Sequence, residues 1–359
     1  MPSTTGMKGA GYYDRHSGAQ LSSIEALHDW LDGAVAELPL PAAGVPVVAL
    51  DLGSSEGRNA LRVMARIARG LRRRTDQPLQ AIYSDLCSNN FNQLFANLDE
   101  AQRSGLFPGG VHHSAVGGSF YGPLLPPGNV HFATSFNSIV WLDQLPTVPL
   151  TDFVACRRPH PLYPGRAASP DVVAAFARQA EHDLTRFLDS RAKELVRGGK
   201  LLVSTPGETD EARVVDGLLD VLNDACRDLV ATGHLEQAEY EGLTMPLYYR
   251  SVEELLAPLE REDSPVRGAF SIDRAEALEI STPFYQEFER TGDAEIYAAG
   301  FTGFLRAISE PVVRAALHQS AAGASIVDAV YERVSARLRA EPERYRWHYI
   351  TVSALLTRR

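Results

Sequence analysis

Lysine is nearly absent from this chain of 359 residues, with Lys8, Lys193 and Lys200 the only three among 35 basic residues. Positive charge is in deficit overall, at a formal net charge of -10 and a pI near 5.5. A basic face for neutralising phosphates is therefore missing, which excludes nucleic acid as a partner bound in that mode. The one dense basic run, Arg72-Arg73-Arg74, reads as a solvated helix end, where cations are favoured. Cysteine is scarce too: Cys87, Cys156 and Cys226 stand far apart with no CxxC pair. That excludes a disulfide framework and a zinc site of paired cysteines, and fits a reducing, cytoplasmic setting. Met1 to Gln20 is polar and glycine-rich without an apolar segment of the signal-peptide kind, and no apolar run reaches membrane-spanning length.

What is present is ordinary for a globular protein: 45% hydrophobic and 22% charged residues. The length suits one large α/β core with an added subdomain. Apolar residues at helical spacing (Ile24, Leu27, Leu31, Val35, Leu38) predict one amphipathic helix that stops at Pro39 and Pro41. Pro46 to Leu52 is a continuous apolar run that ends in Asp51-Leu52-Gly53, as a buried parallel strand entering a glycine loop would. Helical periodicity returns over Asn59 to Leu71. Leu79 to Tyr83 reads as a second strand ending at Ser84-Asp85, and Asn90 to Leu98 as the next helix. This alternation opens a doubly wound α/β sheet.

Further along, Val130 to Ala133 reads as a strand, and Pro170 to Arg197 as a helix with Ser169 at its N-cap and Gly198-Gly199 at its exit, followed by a strand over Lys200 to Ser204. From Asp210 the pattern becomes helical with aromatic connections. Residues 207–268 and 284–325 are expected to form a helical cap, with a strand over Phe270 to Ile280 and a closing strand over Trp347 to Leu356 at the sheet edge.

Asp51-Leu52-Gly53-Ser54-Ser55-Glu56-Gly57-Arg58-Asn59 carries the strongest local signal, because glycines between strand and helix let a ligand approach the backbone closely. A dinucleotide fingerprint needs a second glycine that this loop lacks, so a nicotinamide cofactor is disfavoured. S-adenosylmethionine has no phosphate but carries a sulfonium and an amino-acid tail. Acidic and polar groups such as Asp51 and Asn59 suit it, and Asp85 is placed to accept from ribose hydroxyls. Gly118-Ser119-Phe120-Tyr121-Gly122 is not a nucleophile elbow, since Tyr121 occupies the place of a required glycine. His112, His113 and His131 lack companions at metal-ligand spacing, and no metal is expected.

Several blocks together resemble the SABATH family of plant-type carboxyl methyltransferases, known for methyl esters of salicylate, benzoate and jasmonate, with bacterial relatives that act on fatty acids. They are Met7-Lys8-Gly9 with Tyr13 and Ser17-Gly18-Ala19-Gln20; Asp51 to Asn59; Ser84-Asp85-Leu86 with Asn89 to Asn92; and Gly118 to Leu124. Ser138 to Pro146, Arg306-Ala307 with Glu310-Pro311, and Thr351-Val352-Ser353 extend the similarity over nearly the whole chain. With the arginine-rich composition, it points to a bacterial member.

The resemblance implies a Rossmann-like class I methyltransferase sheet with an added α-helical cap. Its implied division is a core over 1–206, with 1–22 closing the site, a cap over 207–325, and a C-terminal helix and edge strand over 326–359. It implies that Ser17, Asp51, Gly53, Asn59, Asp85, Leu86, Ser119, Phe120 and Ser135 surround S-adenosylmethionine. Gln20 and Trp141 would hold an acceptor carboxylate, in a pocket to which Tyr13, Val140, Leu305 and Trp347 contribute. A neutral amide and an indole N–H orient an anion without trapping it as an arginine would.

Two departures stand out: Val140, where plant enzymes often have His or Met, and Phe136-Asn137, where they usually have Ser-Tyr. The first makes the pocket more apolar. A homodimer is implied as well. The expected activity is esterification of a small lipophilic acid. The alternatives are transfer to a ring nitrogen or phenol, as in the caffeine branch of that family, and a non-catalytic binder of the cofactor. Trp141 could also be a core aromatic, in which case its N–H needs a partner within the protein.

Overall fold

In the computed structural model, which describes residues 6–146, 170–317 and 324–359, a single seven-stranded sheet organises the chain. Its strands are β1 (Val47–Leu52), β2 (Leu79–Asp85), β3 (Val111–Gly117), β4 (Val130–Phe136), β5 (Leu195–Pro206), β6 (Phe270–Ile280) and β7 (Tyr349–Arg358). The order across the sheet is β3-β2-β1-β4-β5-β7-β6, and β7 alone runs antiparallel to its neighbours. The order reverses between β1 and β4, which opens a crevice at the carboxyl ends of these strands.

Helices α3 (His28–Glu37), α4 (Arg58–Arg72) and α5 (Phe91–Arg103) bury Leu31, Val35, Ile67 and Leu94 against one face. On the other face, α6 (Pro170–Glu194) and α9 (Val252–Glu260) bury Leu184, Phe187, Leu255 and Leu259. Arg72, Arg73 and Arg74 do cluster at the C-terminal end of α4, where Arg72 Nη1 donates to the Thr75 and Gln77 carbonyls. No helix among the described residues is long and apolar enough to cross a membrane.

A separate apolar cluster belongs to α7 (Val215–Ala231), α11 (Ala294–Ala316) and α12 (Ala324–Ala340), with α8 (Gln237–Glu241) and α10 (Pro283–Thr291) beside it. Two assignments of the expected cap change accordingly. Helix α12 joins the cap, because Val330, Val334 and Leu338 pack with α7 and α11. Helix α9 leaves it for the sheet, because Leu255 and Leu259 bury against α6.

Other boundaries differ for local reasons. The helix expected over Ile24 to Leu38 is two, α2 (Gly18–Glu25) and α3, broken where Leu27 N–H turns back to the Ile24 carbonyl. Leu27 is fully buried, so the apolar stripe runs through the break and hides it in the sequence. Gly198 and Gly199 do not end α6; they lie inside β5, where the register with β4 shifts. Ser169 lies outside the described residues. Strand β7 is interior, between β5 and β6, and not at the edge; Tyr349 to Leu356 is buried at every position. The edges are β3 and β6; strand β3 has no fully buried residue and offers no apolar run to read.

Candidate active site

Three adjoining cavities open at the carboxyl ends of β1, β2 and β4. A cleft of about 710 Å³ is lined by Gly53, Asp85, Leu86, Ser119 and Phe120, among others. A second, of about 400 Å³, is bordered by Asp51, Gly53, Asn59 and Gln20. A third, of about 460 Å³, lies toward the cap and is walled by Gln20, Val140, Trp141, Phe304, Trp347 and Tyr349. Tyr13 and Asn137 border all three, so the cavities meet beside these two side chains.

The glycine loop is shaped by its contacts. Gly53 sits at φ 93°, and a Cβ there would lie 2.0 Å from Ser138 Oγ, so only glycine lets the loop and the segment after β4 close on one another. Asp51 accepts from Ser54 Oγ at 2.8 Å and Thr134 Oγ1 at 2.9 Å. Burial nevertheless pushes its carboxyl up to about 6, outweighing those two hydrogen bonds. Asp85 closes the loop from β2 by accepting from the Ser55 and Leu86 N–H groups, both at 2.7 Å. Burial raises its pKa as well, against those two bonds.

Gln20 and Trp141 are brought together at the third cavity. The Gln20 side chain is 5% exposed, and its Oε1 is buried without a hydrogen-bond partner. The buried Trp347 and the half-buried Trp141 differ in a telling way. Trp347 Nε1 donates to the Val214 carbonyl at 3.0 Å, whereas the Trp141 indole N–H has no partner among the described residues while its ring lines two cavities. Trp347 is satisfied internally, as a core tryptophan should be, whereas Trp141 is not satisfied in that way among the described residues. Its backbone is fixed instead, with the Trp141 carbonyl 2.5 Å from the Tyr121 hydroxyl and its N–H donating to Ser138. Tyr13 is held protonated, chiefly by burial and then by nearby Tyr349 and acidic groups, so it can donate but is no base.

Three expected residues are elsewhere. Ser17 lines none of the three cavities; its carbonyl accepts from Asn59 Nδ2 at 3.3 Å, so it steadies Asn59 from behind. Ser135 is fully buried in β4 and lines none of the three cavities; its hydroxyl donates to the Leu52 carbonyl at 3.5 Å. Leu305 is buried in the cap cluster, while Phe304 and Ile308, one turn apart on α11, face the third cavity.

Asn137 was missed as a site residue. It takes a left-handed conformation at φ 58°, donates to Ser23 Oγ at 3.2 Å and accepts from the Tyr349 hydroxyl at 2.6 Å. Met7 was likewise missed as a lining residue. It is held over the site because the Lys8 N–H donates to Ala307 on α11 and the Lys8 ammonium pairs with Glu310. Burial alone would raise the Glu310 carboxyl, but Arg314, Lys8 and Arg306 bring it down to about 2.

A family description, SAM dependent carboxyl methyltransferase, matches residues 2–359. The chain belongs to that family, the SABATH methyltransferases, and is an enzyme that uses S-adenosylmethionine. Among its relatives is a probable caffeine synthase of Coffea canephora, 30% identical over 299 residues, which span 76% of each chain. A probable jasmonic acid carboxyl methyltransferase of Theobroma cacao is 29% identical, over 75% of this chain and 74% of that one. The solved structure of a loganic acid methyltransferase with SAH shares the fold at a TM-score of 0.80 and 23% identity, covering 98% of both chains. Among the described residues no group of three or more His, Cys, Asp or Glu side chains could hold a metal ion.

Proposed function

We propose that this methyltransferase converts the carboxylate of a small lipophilic monoacid to its methyl ester, with Gln20 and Trp141 orienting the carboxylate. The observation that carries the reading is the pair itself: the Gln20 amide N–H group and the Trp141 indole N–H, two neutral donors with no acceptor among the described residues, border a cavity whose walls are otherwise chiefly apolar and aromatic. We assign the cofactor to the first two cavities. Gly53 and Ser138 line the first cavity together and close on one another only because Gly53 has no Cβ, and Asn59 Oδ1 and Gln20 Oε1 are buried acceptors without a donor among the described residues. Asp85, Leu86, Ser119 and Phe120 would hold the nucleoside end, and Asp51 and Asn59 the cationic amino-acid end.

When bound, S-adenosylmethionine supplies a methyl carbon on a cationic sulfur, which an acceptor oxygen displaces in line. A carboxylic acid is already ionised at neutral pH, so no general base is required. The residues around the junction then serve alignment and exclusion of water, and good alignment contributes about 7–11 kcal/mol toward the barrier. The protein's partner is thus a small acid, and a homodimer in the cytoplasm completes the reading, the dimer being checked by sedimentation.

The test is a labelled-methyl screen over fatty, benzoic, salicylic and indole-acetic acids, with a methylxanthine and a phenol as competing acceptor types. Incorporation confined to the last two, or none at all with cofactor binding intact, overturns the esterification reading. Trp141→Phe should raise the acid KM about tenfold or more, the loss of one hydrogen bond to a charged group, with little change in cofactor Kd. Collapse of cofactor binding would instead place Trp141 in the cofactor site.

A pH dependence follows from Asp51. Its raised pKa means the empty site takes up a proton as pH falls through about 6, while a cationic ligand binds the ionised form. Affinity for S-adenosylhomocysteine, measured by calorimetry, should therefore be greatest above about pH 6 and weaken progressively down to about pH 5. For stability the sign is opposite: the buried charge is a cost above about pH 6, relieved as pH falls. Asp51→Asn should flatten the affinity profile at a weaker level. An unchanged slope would remove Asp51 from the ligand.

A further inference from the structure

A fourth cavity, of about 220 Å³, lies within the cap and is lined by Leu222, Cys226, Leu243, Thr244, Met245, Val312 and Val313. No residue is common to it and the acceptor cavity, yet the same three elements build both. On α7, Leu218 faces the acceptor cavity and Leu222 and Cys226 face the fourth. These positions are four apart, one continuous stripe of the helix. On α11 the stripe is Phe304 and Ile308, then Val312. The connecting segment runs the other way, with Leu247 and Tyr249 at the acceptor cavity and Leu243 to Met245 at the fourth. The two cavities are thus collinear. From Phe304 to Val312, or from Leu218 to Cys226, the axial distance is about 12 Å at a helical rise of 1.5 Å per residue.

The side chains at the steps from one cavity to the other, Leu218 to Leu222, Ile308 to Val312 and Leu247 to Met245, are all apolar. Met245 is among these, and a methionine yields more readily than a branched residue. The far cavity offers no charge, since burial pushes the Cys226 thiol up to about 12. Its one unmet polar group is the buried Thr244 hydroxyl, which has no partner among the described residues. A water there would find one protein partner where buried waters keep two to four. The cavity therefore suits hydrocarbon better than solvent.

We infer that this cavity is the chain-end subsite of an elongated acceptor, so that the acid carries an unbranched aliphatic chain passing from the acceptor cavity along α7 and α11. The inference rests on the esterification reading for the position of the carboxylate. An aromatic acid would leave the far cavity empty, whereas a chain reaching past Ile308 would fill it.

The test pairs turnover with binding. Straight-chain acids from hexanoate to dodecanoate, with benzoate beside them, are assayed for kcat/KM and for Kd by calorimetry on protein loaded with S-adenosylhomocysteine. Val312→Phe and Thr244→Leu each fill the far cavity, and Val312→Ala enlarges it; melting temperature and cofactor Kd report folding. In the unmodified enzyme, Kd should tighten stepwise with chain length. Either filling variant should weaken the longer acids by tenfold or more relative to hexanoate, and Val312→Ala should move the optimum to a longer chain. Affinity independent of length, or filling variants that weaken all acids equally, would overturn the subsite. Length-dependent binding without methyl transfer would keep the subsite and overturn esterification. No binding of any acid would overturn both.

Discussion

Gly53→Ala should weaken cofactor binding and turnover together. Two costs combine at this position. Holding a residue with a side chain at φ 93° strains the backbone by about 1–3 kcal/mol. The new Cβ would also stand 2.0 Å from Ser138 Oγ and 2.6 Å from Ser138 Cβ, and overpacking of this kind costs about 1–3 kcal/mol more. The loop can escape only by moving away from the segment after β4, and both line the large cleft. Since about 1.36 kcal/mol is a factor of ten, activity at limiting cofactor should fall by on the order of 100-fold. Adding Ser138→Gly removes the collision and leaves the backbone strain, so the double variant should regain about tenfold. A single variant that binds S-adenosylhomocysteine as the unmodified enzyme does would show that this loop does not hold the cofactor.

Why this loop could be read from the sequence, and other parts of the site could not, comes down to the range of the forces involved. Val47 to Leu52 is buried on both faces, so its continuous apolar run announces an interior strand, and the glycines after it announce close approach. Asp85 was legible for the same reason, as a carboxylate ending the neighbouring strand. Gln20 and Trp141 came from the family resemblance; nothing local distinguishes Trp141 from Trp347. What separates them is whether a carbonyl stands opposite the indole, and for Trp347 that carbonyl is 133 residues away in sequence. Asn137 was hidden in the same way, because its partner Tyr349 lies 212 residues distant.

The errors of phase are equally physical. Leu305 and Phe304 are adjacent apolar residues on α11, and no pattern in that helix says which of them lines the cavity, since both belong to one apolar cluster. Ser17 and Ser135 are small polar residues near the crevice whose hydroxyls are spent on backbone carbonyls, those of Asp14 and Leu52. The closing strand comes last in the chain yet lies inside the sheet. Its uniform burial, visible as Tyr349 to Leu356 with small and apolar residues throughout, was the sign of an interior position.

A second large effect is expected behind the cleft, at Arg191 and Glu194 on α6, whose side chains are 0% and 1% exposed. Arg191 Nη1 donates to the Phe120 carbonyl at 2.9 Å and Nη2 to the Gly122 carbonyl at 3.0 Å. Glu194 Oε1 accepts from the Leu124 and Leu125 N–H groups, and Oε2 lies 2.8 Å from Arg191 Nη2, a charge contact off the line of a hydrogen bond. The pair therefore ties down the whole turn that presents Ser119 and Phe120 to the cleft and carries Tyr121 to the Trp141 carbonyl. Arg191→Met would strand a buried carboxylate and two carbonyls, and removing one partner of a buried pair costs about 3–5 kcal/mol. Melting temperature should drop by several degrees, and cofactor Kd, measured well below the new midpoint, should rise by tenfold or more. Glu194→Leu added to Arg191→Met removes the stranded charge and should restore part of the stability. It should not restore the cofactor affinity, because the carbonyls of Phe120 and Gly122 still lack their donor. Recovery of both by the double variant would mean that the turn is held by its packing, and that the ion pair contributes nothing to the site.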